Sequence, residues 1–173
     1  AHNGNIVNAD TLRADLESQG ITFETTTDSE VIAQLLATAP GGTWDERFAV
    51  LMRRAVGAYS LTVLTRDALF GVRDPNGIRP LAIGRLNNGV ERYVLASETC
   101  ALDLIGATYV RDIDPGEVLI VGKDGQRSYH PFGQQALAQR HRARNAFEKK
   151  RAVDFALAPV PDAADDLRLR IEC

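Results

Sequence analysis

The chain has 173 residues, of which 45% are hydrophobic and 25% charged, and its formal net charge is −3. These values are typical of one globular domain with an ordinary core, and they exclude a strongly basic surface for nucleic acid. Because no apolar run approaches the ~20 residues of a membrane span and residues 1–20 lack the pattern of a secretory leader, we predict a cytoplasmic protein with neither a membrane nor a nucleic-acid partner.

Three amphipathic helices are predicted in the first third of the chain. The first begins after Asn8, a favourable N-cap, and ends at Gly20, a favourable C-terminal stop. A short extended segment is expected over residues 21–26. The motif T-x-x-E occurs at Thr27 and again at Thr43, and in each case it predicts a capping box at the start of a helix.

Beyond residue 57 the apolar pattern changes from a helical period to short extended runs. Asn-Gly, Pro-Gly and Asp-Gly turns separate these runs, and a short helix is predicted between two of them. Consecutive hairpins with segregated helices indicate an α+β protein in which helices pack on antiparallel sheet. The predicted strands are residues 58–65, 68–73, 81–84, 92–97, 117–122 and 126–130.

The composition changes sharply at residue 133. All 14 glycines of the chain lie at or before Gly133, and the segment 134–173 is rich in Ala and Arg. We therefore divide the chain into a domain over 1–133 and a divergent tail over 134–173, helical at first and then irregular. The loss of glycine and of apolar periodicity motivates the hypothesis that the tail is translated from a shifted reading frame.

The first residues, AHNGN, contain two groups that could stabilise an anion. Asn3 offers a side-chain NH₂ donor, and Gly4 offers a backbone N–H that no side chain shields. Two convergent donors of this kind form an oxyanion hole. The alternative for the same pair is a plain Asn-Gly turn, which is common between strands.

Asp28 is predicted in the first turn of the second helix. A carboxylate there is favoured by the helix dipole alone. The functional alternative is that Asp28 holds the ammonium group of a substrate, because a helix start can place a side chain at the edge of a sheet.

The motif RDPNGIRP at residues 73–80 has the composition of a tight turn. Pro presets the backbone and Asn-Gly can complete the turn. We assign a structural role to its residues, with anion binding by either arginine, or pairing with the aspartate, as the alternatives. The residues so assigned are Arg73, Asp74, Asn76, Gly77 and Arg79.

The histidines and cysteines of the chain do not suggest a metal site. His2, His130 and His141 are scattered without metal-ligand spacing, and His2 is interpreted as a histidine that either fixes the backbone or packs in the core. Cys100 and Cys173 are too few for a disulfide framework. Cys100 is predicted to be a small buried residue on a helix.

Taken in order, five stretches of the chain closely resemble the glutaminase domain of the amidophosphoribosyltransferases. They are AHNGNIVNADTLR, TTDSEVIAQLL, GAYSLTVL, RDPNGIRPLAIG and YVLASETCALDLIGATYVRDIDPGEVLIV. This family belongs to the class II glutamine amidotransferases, which have the N-terminal-nucleophile fold, an αββα sandwich. The resemblance covers residues 1–130. The RDPNGIRP turn favours it over the glucosamine-phosphate synthases, which lack that turn, and over the asparagine synthetases, which carry a variant of it.

The resemblance implies a mechanism and partners. A thiolate attacks the amide of glutamine, a tetrahedral oxyanion forms and ammonia leaves. Asn3 and Gly4 match the oxyanion-hole pair of the family, and Asp28 matches the carboxylate that holds the α-amino group of glutamine. The ammonia passes to phosphoribosyl pyrophosphate in a second domain, for which Mg²⁺ is expected, in the first step of purine biosynthesis. The intact family forms homo-oligomers.

The resemblance also implies which parts lie outside this sequence. We expect the nucleophilic cysteine and the arginine motif for the glutamine carboxylate upstream of Ala1, and the phosphoribosyltransferase domain elsewhere. The 173-residue chain alone is therefore expected to be marginally stable, to bind no cofactor and to be inactive. The alternatives are a non-catalytic gene remnant and a piece of another class II amidotransferase related to the asparagine synthetases.

Overall fold

The alternation of helical and extended patterns gives four helices and eight strands in the computed structural model, which describes residues 1–133 apart from 88, 90 and 124. The predicted tail and its boundary therefore lie outside the described residues. The helices are α1 (Ala9–Ser18), α2 (Asp28–Thr38), α3 (Trp44–Arg54) and α4 (Thr99–Leu104). The strands are β1 (His2–Ile6), β2 (Gly57–Leu64), β3 (Ala68–Arg73), β4 (Ala82–Asn87), β5 (Glu91–Ala96), β6 (Thr108–Asp112), β7 (Val118–Gly122) and β8 (Gly125–Tyr129).

The two predicted capping boxes differ in the structure. Thr43 and Glu46 form the complete motif, in which each side chain bonds to the backbone of the other residue. Thr27 accepts a hydrogen bond from the Glu30 N–H, but the Glu30 carboxylate turns to the N–H groups of residues 24 and 25 instead. The box at Thr27 is thus half formed, because the preceding loop offers competing donors. Residues 21–26 form that loop and no strand within the described chain, so the predicted extended segment is wrong.

Asn8 occupies the N-cap position of α1, as predicted, but its side chain does not cap the helix. Its Nδ2 donates to the Arg54 carbonyl at 2.8 Å, and its Oδ1 accepts from the Val56 N–H at 2.9 Å. Asn8 thus ties the start of α1 to the end of α3. Gly20 follows α1 with φ +86°, in agreement with the predicted stop.

The strands form two antiparallel sheets with the orders β1-β2-β3-β7-β8 and β5-β4-β6. The largest core cluster fills the space between α1–α3 and one face of the five-stranded sheet. A second cluster, around Ile83 and Leu119, lies between the two sheets, and a third, around Leu102, lies between the three-stranded sheet and α4. This order of layers is helix, sheet, sheet, helix, so the predicted α+β class is confirmed. Among the described residues, none of the helices is long and apolar enough to span a bilayer.

Two strands were not predicted, and one prediction for α4 is wrong. Asn3 and Gly4 lie inside β1, which pairs with β2, so the Asn-Gly turn alternative is wrong. β6 is an edge strand with mostly exposed residues and therefore has no alternating apolar pattern. Cys100 is exposed rather than buried, because α4 has six residues and turns Leu102 towards the sheet.

The RDPNGIRP turn is built around Asp74, which is fully buried. Its carboxylate accepts hydrogen bonds from the N–H groups of Asn76 at 2.8 Å, Ile78 at 2.9 Å, Arg79 at 3.3 Å and Tyr59 at 3.4 Å. The first three donors lie in the turn, and the fourth lies in β2. Asp74 therefore fixes the shape of the turn and joins it to the central strands.

Arg73 completes the same turn with its guanidinium group. Nε donates to the Arg79 carbonyl at 2.8 Å, and the two terminal nitrogens donate to the carbonyls of Ile113 at 2.7 Å and Gly77 at 3.0 Å. Gly77 has φ +62°, and a Cβ there would lie 2.5 Å from the Pro115 ring. A side chain at position 77 would therefore be strained and would separate the turn from the Pro115 loop.

The two sheets are also joined by an ion pair between β6 and the residue before β7. Arg111 bonds both carboxylate oxygens of Glu117, at 2.6 and 2.9 Å, and the Asp114 N–H donates to the same carboxylate. Burial alone raises the pKa of Glu117, but the hydrogen bonds from Arg111 and Asp114 outweigh it and hold that pKa below its usual range. A lowered pKa in the folded state stabilises the protein above the unfolded pKa of 4.5.

We expect Glu117→Gln to lower the free energy of unfolding by about 2 kcal/mol at neutral pH, because charge-assisted hydrogen bonds are lost. The wild type should lose this contribution as the pH falls below 4.5 and through the folded pKa of Glu117, so the two proteins should converge in acid. Urea unfolding at several pH values measures both effects. Asp45→Asn, which removes a charge from an exposed pair with Arg127, is the control and should cost at most about 1 kcal/mol. If the two proteins differed in the free energy of unfolding by the same amount at every pH, the lowered pKa assigned to Glu117 would be contradicted.

Candidate functional site

Within the described residues, β1 is the outer strand of the five-stranded sheet, and backbone N–H groups point from its side away from β2. The Val7 N–H donates to the Val56 carbonyl, and Ala1 and Thr62 exchange both of their backbone hydrogen bonds. In an antiparallel pair such bonded positions alternate with positions whose N–H groups point the other way. The N–H groups of Gly4 and Ile6 therefore point away from β2, off the edge of the sheet.

Asp28 reaches this edge from the first turn of α2. Its Oδ2 accepts a hydrogen bond from the Ile6 N–H at 3.1 Å. The N–H of Gly4 lies two residues back on the same edge, about 7 Å away by the rise of a strand. A carboxylate and a backbone N–H that points away from β2 thus face the same side of β1.

Gly4 has a conformation and a packing that exclude a side chain. Its φ is +149°, and a Cβ built on it would lie 2.0 Å from the Ala58 carbonyl oxygen and 2.7 Å from the Tyr59 Cα. Glycine at this position lets β1 and β2 pair closely while the Gly4 N–H stays unshielded.

Asn3 points to a different face from its neighbours. His2 and Ile6 turn towards the helices, where Ile6 is buried in the largest core cluster. Because side chains alternate along a strand, Asn3 turns towards the face that carries the three-stranded sheet. There it stands opposite Ser60 of β2, which in turn stands opposite Arg73 of β3.

His2 supports Asp28 from the helical face of β1. Its Nδ1 lies 3.0 Å from Ser29 Oγ and 3.6 Å from Asp28 Oδ1. Burial is the largest influence on the pKa of His2 and lowers it, and the charge of Asp28 opposes that effect. The net shift of the His2 pKa is downward, so His2 is a neutral partner for Asp28 at neutral pH.

A cleft of about 430 Å³ adjoins Asp28 and the end of β1. Its walls come from β1, from the start of α1 and from the loop before α2, and its lining is largely polar. A cavity of this size is sufficient for a free amino acid. The residues that line it are Asn5, Ile6, Val7, Ala9, Asp10, Thr26, Thr27 and Asp28.

The structure brings together some of the predicted site residues and separates others. Asp28 bonds to Ile6 of β1, the strand that also carries Asn3 and Gly4, although 22 residues separate Ile6 from Asp28. The turn residues 73–79 lie at the end of β3, on the far side of β2. Two polar neighbours of the site were not predicted. His2 contacts Asp28 because α2 packs against β1, and Ser60 stands opposite Asn3 because of the strand register.

One group of side chains elsewhere has the composition of a metal site. The ligand atoms of Asp114, Glu117 and His130 all lie within 4.8 Å of one another. Both oxygens of Glu117 already accept hydrogen bonds from Arg111, so this carboxylate serves the contact between the two sheets.

Comparison with known proteins links these features to one family. A family model described as a glutamine amidotransferase domain matches residues 1–104. An amidophosphoribosyltransferase of Synechococcus elongatus is 52% identical over 132 residues, which are 75% of this chain and 27% of that protein. The chloroplastic amidophosphoribosyltransferase 2 of Arabidopsis thaliana is 48% identical over 141 residues, 79% of this chain and 25% of that protein. The chain thus spans about a quarter of the length of these curated relatives.

Solved structures lead to the same fold. A glutamine phosphoribosylpyrophosphate amidotransferase of B. subtilis, complexed with ADP and GMP, superposes with a TM-score of 0.71 at 42% identity, over 76% of this chain and 28% of that one. A class II glutamine aminotransferase domain protein of Silicibacter pomeroyi superposes with a TM-score of 0.51 at 17% identity, over 75% of this chain and 64% of that one, and supports the fold alone. The predicted N-terminal-nucleophile fold is confirmed.

Proposed function

The chain belongs to the glutamine amidotransferase domain family. From this premise we propose that the edge of β1 binds glutamine within an amidophosphoribosyltransferase and stabilises the tetrahedral intermediate that forms when the glutamine amide is hydrolysed. One observation carries the proposal: Asp28 and the outward N–H of Gly4 face the same side of β1, beside a polar cleft. This arrangement offers a negative group for the α-ammonium of glutamine and a hydrogen-bond donor for the oxyanion that forms at its side-chain amide.

Asp28 is the group we assign to the α-amino end of glutamine. Its side chain is 22% exposed, so one part faces the cleft while Oδ2 is held by the Ile6 N–H. A carboxylate that is fixed in this way offers an ammonium group a charge-assisted hydrogen bond without reorganisation. The neutral His2 ring beside Oδ1 supports its orientation without adding a competing charge.

Gly4 and Asn3 are the groups we assign to the reacting end. The Gly4 N–H projects from the sheet edge, and the Asn3 amide can add a second donor. Oxyanion holes of two such donors stabilise the tetrahedral intermediate of acyl transfer, and each donor contributes about 2.7–4 kcal/mol. Binding of the oxyanion therefore depends on the pairing of β1 with β2.

We infer the remaining steps of the reaction from the similarity of this chain to its relatives. The attacking thiolate, the transfer of ammonia to phosphoribosyl pyrophosphate with Mg²⁺, and homo-oligomerisation are carried over from the amidophosphoribosyltransferases. The cytoplasm is the compartment proposed here, although two related plant enzymes are chloroplastic. Cys100 is excluded as the nucleophile, because it lies on α4, in the outer helical layer behind the three-stranded sheet.

Glutamine binding tests the site directly. We expect Asp28→Asn to raise the Kd for L-glutamine about tenfold to hundredfold, because the charge-assisted bond to the ammonium is lost. The measurement is a titration of the ¹⁵N-labelled chain, with the amide signals of Gly4 and Ile6 as reporters. Asp67→Asn, an exposed carboxylate outside the cleft, is the control and should bind as the wild type does. Equal affinities for wild type and Asp28→Asn would contradict the assignment of Asp28.

Hydrolysis tests the assignment of the nucleophile. We expect the purified 173-residue chain to release ammonia from glutamine no faster than heat-denatured protein, because the described cysteine is remote from β1. A rate above that background that disappears in Cys100→Ser would show that Cys100 is the nucleophile. Glutamine binding without hydrolysis is the expected pair of results.

A further inference from the structure

Ser60 lies in the middle of β2 and carries an unused hydroxyl group. Its side chain is 3% exposed, and its Oγ has no hydrogen-bond partner within the described part of the chain. A buried hydroxyl without a partner is unfavourable, and most such groups in native proteins are paired. The hydroxyl of Ser60 therefore points to a role other than stability.

Within its own sheet, Ser60 has one neighbouring polar side chain that could accept a hydrogen bond from its hydroxyl. Arg73, opposite on β3, has turned its guanidinium to three backbone carbonyls. Along β2, Ala58 has no polar side-chain atom, and Thr62 lies about 7 Å away on the same face. Asn3 stands opposite on β1 and is the remaining polar neighbour.

The strand register places Asn3 and Ser60 directly opposite each other, although their side chains form no hydrogen bond in this structure. The bonded contacts at Ala1 and Val7 make positions 3 and 60 a hydrogen-bonded pair, in which the Cα atoms lie about 5.5 Å apart. An asparagine and a serine side chain on the same face can bridge that distance. The amide of Asn3 has an acceptor oxygen at one end and a donor nitrogen at the other.

The direction of such a bond matters for the oxyanion. If the Ser60 hydroxyl donates to Asn3 Oδ1, the amide oxygen faces β2 and the NH₂ group faces the open side of β1. That is the side to which the Gly4 N–H points. One hydrogen bond would thus select the amide orientation in which both donors converge.

We propose that Ser60 is a positioning residue for Asn3: its buried hydroxyl donates to Asn3 Oδ1 when a tetrahedral species occupies the site, and so directs the Asn3 NH₂ group towards the oxyanion. The inference rests on the function proposed for Asn3 and Gly4 and extends it to a residue of the neighbouring strand. Ser60 acts through Asn3 and does not contact the substrate.

Two ligands separate this role from a structural one. L-Glutamine has a planar amide, whereas its sulfonamide isostere carries a tetrahedral sulfur whose oxygens occupy the position of the oxyanion. Affinities of both ligands are measured by NMR titration of the full 173-residue chain. The variants are Ser60→Ala, which removes the hydroxyl, and Ser60→Thr, which keeps it. Thr62→Ala, on the same strand and face, is the matched control.

We expect Ser60→Ala to weaken sulfonamide binding about tenfold, with little change for glutamine. Ser60→Thr should restore the wild-type preference, and Thr62→Ala should not alter it. The urea midpoint of Ser60→Ala should equal or exceed that of the wild type, because an unpaired hydroxyl is removed.

Three results would overturn the positioning role of Ser60, and they differ in whether they also overturn the proposed function of the site. A lower urea midpoint for Ser60→Ala would show that the hydroxyl has a structural partner. An unchanged preference between the two ligands in Ser60→Ala would reject the positioning role and leave glutamine binding intact. Binding of neither ligand to the wild type would overturn the proposed function of the site together with this inference.

Discussion

Replacing Asp74 with alanine should lower the free energy of unfolding by about 4 kcal/mol, among the larger losses expected for one substitution. The Asp74 carboxylate accepts hydrogen bonds from four backbone N–H groups. Alanine leaves these donors without an acceptor, and each buried donor without one costs about 1–3 kcal/mol unless water replaces the acceptor. The part-buried donors of the turn can form hydrogen bonds to water instead, so the total loss of stability is less than four times the cost of one buried donor.

Urea unfolding of Asp74→Ala and Asp74→Asn measures this effect. Asparagine keeps one acceptor oxygen at the same position, so Asp74→Asn should lower the free energy of unfolding by about half as much as Asp74→Ala does. Asp67→Ala removes an exposed carboxylate from the neighbouring turn and should change stability by no more than about 0.5 kcal/mol. A loss below 1 kcal/mol for Asp74→Ala would mean that the four contacts contribute little.

Replacing Gly4 with alanine should separate β1 from β2 and abolish glutamine binding. The new Cβ would lie 2.0 Å from the Ala58 carbonyl oxygen, and the φ of +149° is one that other residues rarely adopt. Overpacking and backbone strain together should lower the free energy of unfolding by about 3 kcal/mol. Because the neighbour that must move is backbone, the strands have to part, and the Gly4 N–H then loses its direction.

Two measurements separate these effects in the Gly4 variant. Urea unfolding gives the loss of stability, and NMR titration with L-glutamine gives the loss of binding. Gly42→Ala is the matched control, because a Cβ at Gly42 meets no atom within 4 Å. It should bind like the wild type. Wild-type affinity in Gly4→Ala would show that the edge of β1 is not where glutamine binds.

Local chemistry made most of the fold predictable from the sequence. The Thr-x-x-Glu motifs at Thr27 and Thr43 mark the starts of α2 and α3, because capping acts within one turn of a helix. Turn residues separated the strands for a similar reason. The αββα arrangement and the partial site came from the resemblance, which supplied long-range information that local patterns do not contain.

The remaining features depend on distant contacts. β1 has one buried apolar residue, Ile6, and its Asn-Gly pair is typical of a turn, so only the pairing with β2 identifies it as a strand. Cys100 was predicted to be buried because free cysteine on a helix behaves as a small apolar residue, but a helix of six residues buries one side chain fully. The place of Ser60 opposite Asn3 follows from register, which the chemistry of either segment does not determine.

The pairing of β1 with β2 also has a kinetic consequence. It joins Ala1 to a residue 61 positions away, with three helices in the intervening chain, so its loop-closure entropy is high. The hairpin of β2 and β3 forms over a short loop, and we infer that it precedes the docking of β1. An edge strand that docks late also opens early, so native-state hydrogen exchange should release β1 before the central strands. The proposed glutamine site would then fold after the central strands and be lost before them on mild heating.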